Sequence, residues 1–217
     1  MPERIELKRE LERIHKDLIK MGATIEQSME DMIEAFLTQN AELARDIIER
    51  DDEIDDLELQ VEQDCIRLIA RQQPMARDLR DTAAILKIIT DLERIGDHCS
   101  DISQYIINLS EEKYIKSIDD IPLMMSKVKL MVRDAIDICI RRDLELAKDI
   151  CNRDQEINDL FYHIIDEIVT LMNEFPGNAR QLKEFMFIVK YLERMGDHAT
   201  NVAEWIIYSV TGTHDYK

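Results

Sequence analysis

The segment Leu92-Glu-Arg-Ile-Gly-Asp-His98 returns as Leu192-Glu-Arg-Met-Gly-Asp-His198, with one conservative change. A second match pairs Glu42-Leu-Ala-Arg-Asp-Ile47 with Glu145-Leu-Ala-Lys-Asp-Ile150. It continues as Arg50-Asp-Asp-Glu-Ile-Asp-Asp-Leu57 against Arg153-Asp-Gln-Glu-Ile-Asn-Asp-Leu160. Self-similarity at this length marks a duplication, so any fold for the chain has to be assembled from two copies of one half. The copies lie 103 residues apart at Arg50 and Arg153 but 100 apart at Leu92 and Leu192. The second copy is therefore shorter between these points, and the turns near Pro74 and Pro176 are where residues are lost most cheaply.

Each copy reads as three amphipathic helices. With five Gly, four Pro and 6% aromatics among 217 residues, turns are few and elements long, a composition that suits an all-helical protein. In the first copy, apolar residues recur at helical spacing over about 5–37, 42–72 and 76–109. In the second copy the corresponding spans are about 122–141, 144–174 and 178–211. The inward stripes are Ile54, Leu57, Val61, Cys65 and Leu68, then Ile85, Ile88, Leu92, Cys99 and Ile106, with equivalents in copy two. Short connections make consecutive long helices antiparallel. The expected fold is all-α, a tandem repeat of two antiparallel three-helix bundles with a pseudo-twofold relation, divided at 1–112 and 113–217. One continuous six-helix bundle is the alternative.

The net charge of −18 argues against a nucleic-acid partner, which needs a basic face, and against adsorption to anionic lipid. It favours protein partners and cations. The four cysteines, Cys65, Cys99, Cys139 and Cys151, form no C-x-x-C pair and read as reduced thiols. The first residues are charged where a signal peptide would be apolar. Apolar runs such as Phe185-Met-Phe-Ile-Val189 are too short to cross a bilayer, so direct membrane insertion is not expected. These features predict a cytoplasmic location.

The repeated motif places two carboxylates four residues apart, where like charges on one helical face repel. A cation is the simplest relief. At about 100° per residue, Glu93, Asp97 and Asp101 step from the flank of their helix to its outer face. On the preceding helix, Asp51, Asp55, Glu58 and Glu62 line one flank. Copy two offers Asp154, Asn158, Glu193, Asp197 and Asn201. Two such stripes on adjacent helices would converge oxygen ligands suited to Mg²⁺, Ca²⁺, Mn²⁺, zinc or iron. The plainer alternative is a pair of solvated acidic faces. His98 and His198 point about 100° away from the aspartates beside them and suit the same ion less well.

Other features carry less. Gly96 and Gly196, inside helices, permit close approach of a neighbour. Arg94 and Arg194 read as surface pairing partners. Glu12-x-x-His15 is half of the ligand pattern of di-iron bundles, but no partner copy exists. Arg71, Arg77 and Arg80 surround Pro74, either docking an acidic partner or complementing a helix terminus. Trp205 takes the place of Tyr105.

Taken together, Leu92-Glu-Arg-Ile-Gly-Asp97, Leu192-Glu-Arg-Met-Gly-Asp197, Arg71-Gln-Gln-Pro74 followed by Asp78-Leu-Arg80, and the repeated Arg-Asp-x-x-Ile-Asp/Asn make the chain resemble the PhoU family of phosphate-transport regulators. The resemblance spans nearly the whole length. It implies a non-enzymatic cytoplasmic regulator that represses the phosphate-starvation response. Its implied partners are the ATPase subunit of the phosphate ABC transporter and a phosphate-sensing histidine kinase, with a homodimer possible. It further implies metal binding, multinuclear iron included, by Asp51, Asp55, Glu93 and Asp97 and, in the second copy, by Asp154, Glu193 and Asp197. This chain departs from the pattern at Asn158, which stands where a carboxylate is expected, and in having Asp101 opposite Asn201. A di-iron bundle enzyme and a metal-free helical adaptor are the competing classes. The first requires paired inward Glu-x-x-His motifs, and the second predicts that removing Asp97 and Asp197 stabilises the protein without metal dependence.

Overall fold

The computed structural model describes residues 2–115 and 120–213. Six long helices make up the fold: α1 Pro2–Thr38, α2 Ala41–Gln72, α3 Arg77–Leu109, α4 Asp120–Arg141, α5 Leu144–Glu174 and α6 Ala179–Thr211. No strand occurs among the described residues. The expected tandem pair of three-helix bundles is what forms.

The first corner is built the same way in both copies. Gln39 (φ 52°) and Arg142 (φ 54°) take the left-handed conformation that ends a helix. The next residue, Asn40 or Asp143, caps the following one. The Asn40 side-chain oxygen accepts from the N–H groups of Glu42 and Leu43, and that of Asp143 accepts from Glu145 and Leu146. Such caps satisfy donors that a helix start leaves unpaired. A left-handed non-glycine residue costs roughly 1–2 kcal/mol, and both here are held by distant contacts. Gln39 Nε2 donates to the carbonyls of Leu109 at 3.1 Å and Glu112 at 2.8 Å. Arg142 pairs with Asp81 at 2.8 Å.

The second corner absorbs the shortening of copy two. Both connectors have four residues, 73–76 and 175–178, the latter folded around a single 3₁₀ turn Pro176–Asn178. The missing residues come from the end of α5 and the start of α6, as the positions of Pro74 and Pro176 suggested.

Packing follows the apolar stripes. Helices α2, α3, α6 and α5 lie side by side in that order, α1 covers α2 and α3, α4 covers α5 and α6, and α1 also meets α4. A single contiguous apolar core results, drawing Ile54, Leu92 and Cys99 from the first copy and Ile157, Leu192 and Ala199 from the second. Helices α3 and α6 cross antiparallel. His98 faces His198, with ring centroids 5.5 Å apart. His98 also faces Tyr191, and its repeat-mate His198 meets Asp91, the equivalent of Tyr191, at 2.9 Å. These reciprocal contacts place a pseudo-twofold axis at the middle of the α3–α6 seam.

The linker between the copies is strapped down before residue 116. Tyr114 donates to the carbonyl of Phe36. The buried Gln181 side chain accepts from the Ile115 N–H at 2.7 Å and donates to the Lys113 carbonyl at 3.1 Å. Among the described residues, no helix is long and apolar enough to cross a membrane. Cys65, Cys99, Cys139 and Cys151 are all free thiols, and burial pushes Cys65, Cys139 and Cys151 up to between about 11 and 12. They are therefore poor nucleophiles at neutral pH.

Candidate metal centre

Helix α2 lays its Asp51–Asp55 flank along the Glu93–Asp97 flank of α3. The two backbones approach closely because Gly96 has no side chain. A Cβ there would lie 2.8 Å from Ile54 Cδ1 and 3.2 Å from Asp51 Oδ1. The glycine thus does what close approach requires, and the aspartate beside it is carried into the groove.

One carboxylate oxygen from each of Asp51, Asp55 and Asp97 lies within 4.8 Å of the other two. Oδ1 of Asp51 is closed off from solvent and receives no hydrogen bond from any described residue. Burial first, then the charges of Asp97 and Asp55, raise the Asp51 carboxyl to about 6, against a smaller opposing effect of the Ser100 hydroxyl. Glu93 is raised to about 7 by burial and then by Asp97, with Arg94 opposing. Asp55 and Glu58 are raised too, chiefly by burial, then by Asp97 and by Glu62 respectively. Arg94 reaches Asp97 at 2.8 Å and Glu93 at 3.5 Å from the solvent side. Its side chain is half exposed, so this pair offsets little of the repulsion.

Crowded carboxylates, a shielded oxygen without a donor and hard oxygen ligands alone together fit a Mg²⁺, Mn²⁺, Ca²⁺ or iron ion. Asp51, Asp55 and Asp97 would hold it, with Glu93 at the rim. Side-chain exposure rises along the α3 stripe, from 21% at Glu93 through 31% at Asp97 to 47% at Asp101, in the order that the helical angles predict. Asp101 lies furthest out and turns toward His98, 3.5 Å away.

The second copy assembles differently. Asp154 accepts from the Asn158 amide at 2.9 Å and from the Thr200 hydroxyl at 3.3 Å. Glu193 is bound by Lys190 Nζ at 2.6 Å. Asp197 is raised by burial, then by Glu193 and Asp154, while Arg194 and Lys190 oppose. Asn201 leaves this group and donates instead to Asp91 across the α3–α6 seam, at 3.0 Å. Sequence reasoning overlooked Lys190 and Asp91. Aligning Lys190 with Thr90, and Asp91 with Tyr191, would have flagged both as positions where the copies differ in charge.

The remaining candidates lie apart from this groove. His15 contacts the carbonyl of Leu11 in its own helix at 2.7 Å, and Glu12 is exposed, so the lone Glu-x-x-His does not face the interior. Arg71 joins Arg9, Arg13 and Arg67 around a cavity of about 270 Å³ that also contains Glu6, Glu10 and Asp64. Arg80 lies under Gly212 at the end of α6. Tyr105 stacks on Phe187, whereas Trp205 meets Tyr208 edge-on.

Fold and groove define a duplicated helical-bundle protein with carboxylate-lined grooves on either side of a pseudo-twofold axis. The PhoU domain model matches residues 18–106 and again 121–206, one match per copy. A phosphate-specific transport system accessory protein PhoU homologue from Clostridium acetobutylicum is 42% identical over 204 residues, spanning 94% of this chain and 93% of the relative. The crystal structure of PhoU from Pseudomonas aeruginosa superposes with a TM-score of 0.92 at 35% identity, covering 95% of this chain and 99% of that one. The phosphate transport system regulatory protein PhoU from Streptococcus pneumoniae superposes at 0.87 with 25% identity, over 95% and 98% of the two chains. The chain belongs to the PhoU family.

Proposed function

We propose that this protein is a negative regulator of phosphate uptake and of the phosphate-starvation response, and that the α2–α3 groove binds a metal cation. The observation that carries the regulatory reading is the match of both copies, over almost the full length, to relatives named as accessory proteins of the phosphate-specific transport system. In this reading the protein is a cytoplasmic adaptor without catalytic activity. It contacts the ATPase subunit of the phosphate ABC transporter and relays transporter state to a sensor histidine kinase. The net charge of −18 suits protein and cation partners and disfavours nucleic acid. The metal reading rests on the convergence of Asp51, Asp55 and Asp97 and on the unpartnered Asp51 oxygen.

Complementation tests the regulatory role. Expressed in Pseudomonas aeruginosa lacking its own PhoU, this chain is expected to restore repression of a phosphate-starvation reporter in phosphate-rich medium. A reporter that stays fully derepressed, with the protein expressed and folded, would refute the proposal. Elemental analysis of untagged protein purified without chelator names the ion.

A further inference from the structure

We infer that the second copy carries its own cation, the Lys190 ammonium, and that metal uptake is confined to the first copy. This rests on the metal reading above and extends it to the division of labour between the copies. The two grooves are related by the duplication, yet their charges are not. Position by position, Asp55 becomes Asn158, Glu58 becomes Phe161, Glu62 becomes Ile165, Thr90 becomes Lys190 and Asp101 becomes Asn201. Each exchange removes a negative charge or adds a positive one.

The replacements act together. In the first copy, the Thr90 hydroxyl lies against Glu58 at 3.4 Å, and neither neutralises the groove. In the second, Lys190 Nζ sits 2.6 Å from Glu193 and 5.2 Å from the centre of the Phe161 ring. Phe161 therefore provides a ring face for the ammonium where the first copy has a carboxylate. The Asn158 amide fills an oxygen of Asp154 that a metal would otherwise need, and Thr200 takes the other. Both Asp154 oxygens thus have donors, whereas Asp51, its equivalent, keeps a buried oxygen with none among the described residues. Gly196 lies farther from its neighbour as well. A Cβ there would be 3.3 Å from Ile157, against 2.8 Å for Gly96 and Ile54.

Two measurements on the full chain test this. In equilibrium dialysis against Mn²⁺ at pH 7.5, Asp51→Asn/Asp97→Asn is expected to abolish binding. Asp154→Asn/Asp197→Asn should keep the wild-type capacity, and Lys190→Thr/Asn158→Asp should raise it. Loss of bound Mn²⁺ in Asp154→Asn/Asp197→Asn would overturn the inference while leaving the metal reading intact. Wild-type protein that takes up no Mn²⁺, iron or zinc would overturn the metal reading, and with it the confinement of uptake to one copy. The second measurement needs no metal. In chelator-treated protein at pH 7.5, Glu93→Gln is expected to raise the melting temperature by a few degrees, because it removes unrelieved repulsion. Glu193→Gln is expected to lower it, because it strips Lys190 of its partner. If both substitutions raise it, Lys190 is not the compensating cation.

Discussion

At the scale of single residues, the α2–α3 groove combines two costs that its local chemistry makes measurable. The first is steric. Replacing Gly96 by Ala gains about 1 kcal/mol of helix propensity but drives a methyl group into Ile54 and Asp51. Overpacking of a filled core costs about 1–3 kcal/mol, so Gly96→Ala is expected to lower the urea midpoint. Gly196→Ala, with its nearest contact at 3.3 Å, should leave the midpoint unchanged or raise it. The second cost is electrostatic. Asp51 and Glu93 titrate near 6 and 7 in the folded protein, above ordinary values of 3.8 and 4.5. The folded state therefore holds more protons than the unfolded chain between about pH 4 and 7. These two groups therefore make the metal-free protein less stable as pH rises through that window, by about 2 kcal/mol together after allowance for solvent screening. Urea titrations at pH 5 and 7.5 check the sign. Glu93→Gln should flatten the slope, and an unchanged slope would show that Glu93 is not its source.

At the scale of elements, the helices owe their ends to a few polar side chains. Asn40 and Asp143 each accept two backbone N–H groups at the start of a helix of about thirty residues. Removing such a cap costs about 1 kcal/mol. Asp143→Ala is expected to lower the thermal midpoint by roughly 2–4 °C, and Asp143→Asn to be near neutral; equal losses in both would point away from capping. The helix spans were readable because the apolar period is uninterrupted. Their corners were readable because Pro74 and Pro176 break it. The left-handed Gln39 and Arg142 were not, since neither side chain favours that conformation and both are held there by partners far along the chain.

At the scale of the whole molecule, stability depends on contacts that join the copies. Gln181 is 4% exposed and serves both Ile115 and Lys113 from the other side of the linker. Gln181→Ala would remove both of these part-buried hydrogen bonds, at a cost of about 1 kcal/mol each. Faster hydrogen exchange at Ile115, with little change in the middle of α2, is the expected outcome. Protection that is lost uniformly would mean that the linker does not open on its own.

The sequence by itself determined the duplication, the six helices, their inward faces and the stripe of acids. Each of these depends on local period and on identity between copies. Only the tertiary structure decided that Asp51, Asp55 and Asp97 converge while Asp154 and Glu193 are met by Asn158 and Lys190. It also decided that Asn201 and His198 turn to Asp91 across the seam. Helical angles fix a direction around one axis, but whether a charge meets a like charge, a lysine or another helix depends on which flank of the neighbour arrives opposite it. That is set by close packing at Gly96 and at the pseudo-twofold axis, which no single helix encodes.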